Sequence, residues 1–314
     1  MTDGPDLDDS LAAWVRARLG SPPSEVFFGA RSMSDVVGVT LADGRRVALK
    51  RRGGGAHVLA AARAQRAATL AGIDCPALLA GPEEVPTAPG EDLGIVTAEE
   101  WRGDGGLEPT GDASRLYARL LARLIGALRE LDPDGLEPPP WLHYDHTDAT
   151  RVWPPAASDR WDPHRIESEL PLALIEIARR ARTRLLASNL PSVVGHTDLN
   201  GLNVRWVGDR PIVHDWDSVA ARPEAVLVGT LAVDHVALPD RGRIAGVAAG
   251  ERVIAAYEDE SGRAFTVDER EVAWAASAWL ASYNAAFEHL HGGPGEVTAQ
   301  LLVDGEQRLA RAGA

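Results

Sequence analysis

"VVGHTDLNGLNVRWVGDRPIVHDWDS" runs from Val193 to Ser218. It places His196, Asp198, Asn203, Asp215 and Asp217 between short apolar runs. Carboxylates this close in sequence repel one another unless a cation or a shared proton stands between them. "NVRWV", "GDR" and "PIVHDW" read as strand, turn and strand. A loop carrying Asp198 and Asn203, followed by such a hairpin and then Asp215, can aim three oxygen-bearing side chains at one point. Magnesium takes hard oxygen ligands and usually keeps waters and substrate phosphates, so one carboxylate and one amide oxygen suit a partial cage. Asp198 is then left to orient a hydroxyl and take its proton. His196 reads as an anchor of the loop through backbone hydrogen bonding.

Outward from this stretch, one residue carries the next clue. Of the 32 Lys and Arg residues only Lys50 is lysine. An arginine-biased chain that keeps one lysine points to a site needing a compact ammonium in place of a planar fork. Lys50 closes the third of three runs, "SEVFFGA", "DVVGVTLADG" and "RRVALKRR", which read as a small antiparallel sheet with "ADG" as a turn. A helix "DLDDSLAAWVRARLG", capped by Asp8, Asp9 and Ser10, precedes them. An Ala-rich helix "AHVLAAARAQRAATLAG" and two strands, "PALLAG" and "LGIVTAEEW", follow.

The expected fold class is α+β. A β-rich lobe of residues 1–100 is followed by a mainly helical lobe of residues 101–314, with a hinge near 97–104. Helices are expected in "ASRLYARLLARLIGALREL", in "HRIESELPLALIEIARRARTRLLAS" and at about 223–237, 244–260, 267–290 and 294–312. Residues 132–163 are rich in Pro, Trp and Asp. A segment of that length without regular structure is usually functional. The tryptophans of helix 267–290 read as core. Trp141, Trp153 and Trp161 leave open an aromatic lid over a sugar or planar ligand.

The formal charge of −14 argues against a nucleic-acid partner. It divides as −4 over residues 1–100 and −10 over the remainder, which leans toward a cationic ligand in the later lobe. A single cysteine, Cys75, forbids an internal disulfide and fits a reducing cytoplasm. The acidic start "MTDGPDLDDS" does not read as a signal peptide. No apolar run approaches the roughly 20 residues of a membrane span. Oligomeric state is not legible.

"HTDLNGLN" (196–203) and "VHDWD" (213–217) resemble the aminoglycoside phosphotransferase family. Its relatives are choline and homoserine kinases and, more distantly, protein kinases. The resemblance implies a protein-kinase-like two-lobed fold. It also implies transfer of the γ-phosphate of ATP, or of GTP, to a hydroxyl of a small-molecule acceptor. Residue by residue it makes Asp198 the catalytic base, with His196 beside it, and Asn203 and Asp215 the Mg²⁺ ligands. Lys50 becomes the grip on the α- and β-phosphates. The hinge strand ending "EEWRG" puts Glu99 and Trp101 at the nucleotide, and backbone N–H groups with the hydroxyls of Ser32 and Ser34 in "GARSMSDVVG" can cradle the phosphates. The acidic later lobe favours an aminoglycoside-like or other amino-sugar acceptor. An uncharged metabolite or natural product is the alternative.

Two departures accompany the resemblance. The family pairs the lysine with a glutamate on the following helix, yet residues 53–82 contain none, and Gln65 falls nearest that place. Gln65 orients Lys50, or Asp215 alone pairs it, or the chain binds nucleotide without transfer. The phosphate-covering loop also has few glycines. A protein kinase is disfavoured because "SVAARPE" follows Asp215 too directly for an activation segment. A metallohydrolase would have no use for Lys50.

Overall fold

Alternating apolar residues build the first part of the chain as strands. The computed structural model describes residues 7–31, 34–53, 55–85, 94–155, 161–239 and 243–314. After α1 (Asp9–Leu19), capped by the Asp8 carboxylate on the Leu11 N–H at 2.8 Å, come β1 (Pro23–Arg31), β2 (Asp35–Leu41) and β3 (Arg46–Arg52). The β2–β3 turn relies on Gly44 at φ 87°, a left-handed conformation that glycine adopts without steric cost. Next are α2 (Ala56–Leu70), β4 (Leu78–Val85) and β5 (Gly94–Glu100). The five strands form one antiparallel sheet in the order β1-β2-β3-β5-β4.

Period-two alternation divides this sheet chemically. Val37, Val39, Leu41, Val47, Leu49, Val96 and Ala98 share one apolar cluster with Leu11, Trp14 and Val15 of α1. By register, Ala48, Lys50, Arg52, Thr97 and Glu99 project from the opposite face. The residue that reads as functional thus stands on the face that α1 does not cover.

The remainder is mainly helical: α3 (Ala113–Ala127), α4 (Pro163–Glu169), α5 (Leu172–Leu186), α6 (Glu224–Asp234), α7 (Val247–Ser261), α8 (Val267–Leu290) and α9 (Glu296–Ala312). Among them lie β6 (Ser192–His196), β7 (Val204–Val207), β8 (Arg210–Val213) and β9 (Val219–Pro223). β7 pairs with β8, and β6 pairs antiparallel with β9. Strand β9 falls on the stretch just after "VHDWD", where sequence reading places no element. By contact the chain divides into two units, Met1–Asp104 with Ile212–Asp217, and Gly105–Pro211 with Ser218–Ala314.

Helix α8 is the core of the second unit. Trp274, Trp279 and the alanines between them are buried on every side, as expected of a helix apolar all round. Gly229 of α6 lets that helix lie against it: a Cβ there would stand 2.1 Å from the Ala273 carbonyl oxygen. The aromatic-lid expectation is overturned at two of its three tryptophans. Trp153 and Trp161 are 0 % and 4 % exposed. Trp153 packs on Trp279 at 5.4 Å between ring centroids, and Trp161 stacks on Tyr283 at 4.1 Å. The long Pro-rich segment therefore folds its indoles inward, because α8 offers an aromatic surface that no local pattern reveals. Half-buried Trp141 uses its carbonyl to accept from the Trp279 indole N–H at 2.9 Å. Among the described residues no helix is long and apolar enough to cross a membrane.

Candidate active site

The first unit gathers charge around Lys50. Register sets Lys50 of β3 opposite Thr97 of β5 and Ala48 opposite Glu99, so Lys50 and Glu99 leave the same face. Lys50 Nζ lies 3.4 Å from Glu99 Oε2 and 3.8 Å from Asp215 Oδ1. Burial works against its charge, but the carboxylates of Glu99, Asp215 and Asp217 outweigh that and hold the ammonium above the usual lysine range.

Asp215 follows directly on β8 and His214. Its φ of 55° is the only positive value outside glycine among the described residues. A non-glycine residue in this region carries a steric cost and needs surroundings that hold it. Asp217 supplies them. Its carboxylate pairs with Arg52 of β3, and its carbonyl oxygen meets His57 Nε2 of α2 at 2.8 Å. Arg52 also donates to Thr97 Oγ1 at 2.7 Å. The Val213 N–H donates to the Asp74 carbonyl at 2.9 Å, which fixes the segment just before. Asp217, the acid without a settled role in the sequence, is the fastener of this turn.

Gln65 directs its amide nitrogen elsewhere than Lys50. It is 2 % exposed and gives its Nε2–H to the Pro76 carbonyl at 3.0 Å. The carboxylate nearest to Lys50 is that of Glu99 on strand β5, which the sequence of the helix does not reveal. Trp101 packs edge-on to Phe27 at 4.8 Å and beside Phe28 at 5.3 Å, with the Arg46 guanidinium 3.8 Å from the Phe27 ring. Its N–H continues the sheet by donating to the Arg46 carbonyl at 3.1 Å. Ser34 sits in the bend before β2, and Ser32 lies outside the described residues.

The second unit holds the other cluster. β6 ends at His196, and the Thr197 N–H and hydroxyl both donate to the Ser218 carbonyl, at 2.9 and 2.7 Å. The chain then turns. The Asp198 N–H donates to buried His196 Nδ1 at 3.2 Å, so this imidazole nitrogen acts as an acceptor that ties the loop down. Asn203 Nδ2 donates to Asp198 Oδ2 at 2.6 Å and to the Asp198 carbonyl at 2.9 Å. Asn200 Nδ2 donates to Asp198 Oδ1 at 2.7 Å. Both oxygens of one carboxylate are thereby held by amides of its own loop.

Asn200 has a second contact, with Asp234 at the end of α6, and Asn284 of α8 donates to the same carboxylate at 3.1 Å. Burial pushes the Asp234 carboxyl up, against hydrogen bonds with Asn200, Asp198 and Asn284 that favour its charged form. Sequence reading missed Asn200, Asp234 and Asn284. The one available signal was an acid closing the otherwise apolar run "AVLVGTLAV".

Asn203 turns its amide nitrogen to Asp198, which leaves its carbonyl oxygen, a donor type that magnesium accepts, directed the other way. Among the described residues no group of three or more His, Cys, Asp or Glu forms a self-sufficient metal site. A cavity of about 530 Å³ in the second unit is lined by Arg119, Arg123, Tyr257 and Glu260 and contains none of the residues above.

No family model matches the sequence, and no curated protein does. Solved structures do. An amicoumacin kinase in complex with AMP-PNP, Ca²⁺ and Ami aligns with 97 % of this chain and 94 % of its own, at 13 % identity and TM-score 0.63. An aminoglycoside phosphotransferase from Alicyclobacillus acidocaldarius covers 95 % and 94 %, at 15 % identity and TM-score 0.56. A choline/ethanolamine kinase family protein from Mesorhizobium loti covers 96 % and 93 %, at 16 % identity and TM-score 0.51. At these identities the likeness is one of fold, and it spans nearly the whole of each chain. The protein has the kinase-like fold that aminoglycoside phosphotransferases share with choline/ethanolamine kinase-like proteins.

Proposed function

We propose that this chain transfers the γ-phosphate of ATP to a hydroxyl of a small-molecule acceptor. The observation that carries the reading is the pairing of the only lysine, Lys50, with Asp215. An ammonium that stays charged while buried beside a metal-binding type of carboxylate is what a triphosphate requires. The phosphoryl transition state is loose and anionic, so catalysis is mainly positioning and charge.

Lys50 binds and orients the α- and β-phosphates. Asn203 and Asp215 would hold Mg²⁺, which when bound neutralises phosphate charge. Asp198 accepts the proton of the acceptor hydroxyl. Amide donors on both of its oxygens fix its orientation and leave lone pairs for that proton. Transfer of the γ-phosphate breaks the bond to the bridging oxygen of ADP and forms one to the acceptor oxygen. Nucleotide binding without transfer is the alternative that the absent helix glutamate suggests; Glu99, 3.4 Å from Lys50, supports transfer instead.

The acceptor class we propose is an amine-bearing sugar or related antibiotic. The acidic later part of the chain supports this. The amicoumacin kinase and aminoglycoside phosphotransferase likenesses agree with it. The test is ADP release from Mg-ATP with a panel of aminoglycosides, amino-sugar antibiotics and uncharged alcohols. Stimulation by amine-bearing acceptors supports the reading. Turnover only with uncharged alcohols would remove the acceptor class, and ATP binding without turnover on anything would remove the transfer.

A further inference from the structure

We infer that Glu99 is the residue that positions Lys50, so that the lysine's partner comes from the lysine's own sheet and not from helix α2. The inference rests on the reading of Lys50 as the phosphate-gripping cation.

The geometry is local to β3 and β5. Lys50 and Glu99 are diagonal neighbours on one face of an antiparallel pair, a spacing that long side chains span. Lys50 is 9 % exposed and Glu99 is 4 % exposed. A buried ammonium and a buried carboxylate each need a charged partner, and at 3.4 Å each has one. Helix α2 offers none: Ala56–Leu70 contains no acid, and Gln65 is committed to Pro76. Asp215 is the more distant neighbour, with a side chain 43 % exposed against 5 % for Glu99. It is also the carboxylate we assign to a metal. Glu99 therefore remains the constant counter-charge. Because both partners hang from one hydrogen-bonded ladder, no movement of α2 is needed to assemble the pair.

The sole lysine makes the test direct. Lysine-selective ¹⁵N labelling of the full chain gives one ammonium signal, that of Lys50. Without nucleotide it is expected to be protected from exchange, and in Glu99→Gln to shift and be lost to water. Mg-ATP affinity by calorimetry, and slow hydrolysis of Mg-ATP by water, are expected to fall by about tenfold or more, the scale of a misplaced catalytic group. Glu99→Asp should recover part of both. In a Lys50→Met background, Glu99→Gln should cost no further affinity and no stability, because both buried charges leave together.

An unchanged Lys50 signal with unchanged Mg-ATP affinity in Glu99→Gln overturns the inference. If Glu99→Gln alone does not fold, a double variant less stable than Lys50→Met overturns it equally. Loss of Mg-ATP binding in Lys50→Met with none in Glu99→Gln removes Glu99 only. Wild-type binding in Lys50→Met removes the reading of Lys50 itself.

Discussion

Arg52 on β3 pairs with Asp217, two residues beyond the one non-glycine position with positive φ among the described residues. The Arg52 side chain is 9 % exposed, so its guanidinium depends on that carboxylate. Asp217→Asn leaves a buried cation without its counter-charge, which costs on the order of 3 kcal/mol. Urea unfolding should show the loss. A double-mutant cycle with Arg52→Met should return most of it. Equal losses for the cycle and for the single variant would mean that the pair does not fasten the turn at Asp215.

Asp198→Asn should lower phosphate transfer by about 10²–10⁴-fold, the usual contribution of a positioned base. Mg-ATP affinity should be kept, because Asn203 still donates to the backbone carbonyl at position 198, although only one of the Asn200 and Asn203 amides then meets a side-chain oxygen there. Stopped-flow turnover and calorimetry separate the two quantities. Lys50→Arg should impair turnover as well, since a planar fork cannot replace a point charge in a buried site.

Trp153→Ala should act on stability and leave acceptor preference alone. Its ring is fully buried against Trp161 and Trp279. Truncating a buried tryptophan costs about 3–5 kcal/mol. A variant of normal stability with altered acceptor KM would restore the lid.

His235 makes the fold sensitive to acid. Its Nδ1–H donates to the Leu231 carbonyl at 3.0 Å, and burial pushes its pKa down to about 4. The unfolded chain binds this proton near the ordinary histidine value, so protonation favours unfolding. The stability that neutral His235 contributes is complete above about pH 6.5 and declines as pH falls toward 4. His235→Phe should flatten the stability curve in that window relative to wild type. Identical slopes in chemical denaturation from pH 7 to 4 would contradict this.

Burial pushes the Cys75 thiol up to about 11, and the group is 6 % exposed. Little thiolate exists at neutral pH, and reagents reach it poorly. Ellman's reagent at pH 8 should label the native chain far more slowly than the urea-unfolded chain. Comparable rates would place this cysteine at an accessible surface.

The aligned run from His196 to Asp217, the three first strands and most helices were legible because each rests on spacing within one segment. Periodicity places Lys50 near the end of a strand, and "HTDLNGLN" puts Asn203 five residues from Asp198, within reach of its carboxylate. The strand after "VHDWD" was not legible, because β9 exists only by pairing with β6, far back in the chain.

Which side chains answer one another was decided by tertiary structure. Residues 53–82 contain no glutamate, yet the approach of Glu99 to Lys50 is visible only through the β3–β5 register. Asp234 and Asn284 reach Asp198's neighbour Asn200 from two helices distant in sequence. Trp153 and Trp161 turned inward because α8 presents an aromatic face. Local sequence determined the elements and the types of group available for chemistry. Pairing among buried charges and rings depends on registers and crossings, which are set by the packing free energy of the whole chain and not by any one stretch of it.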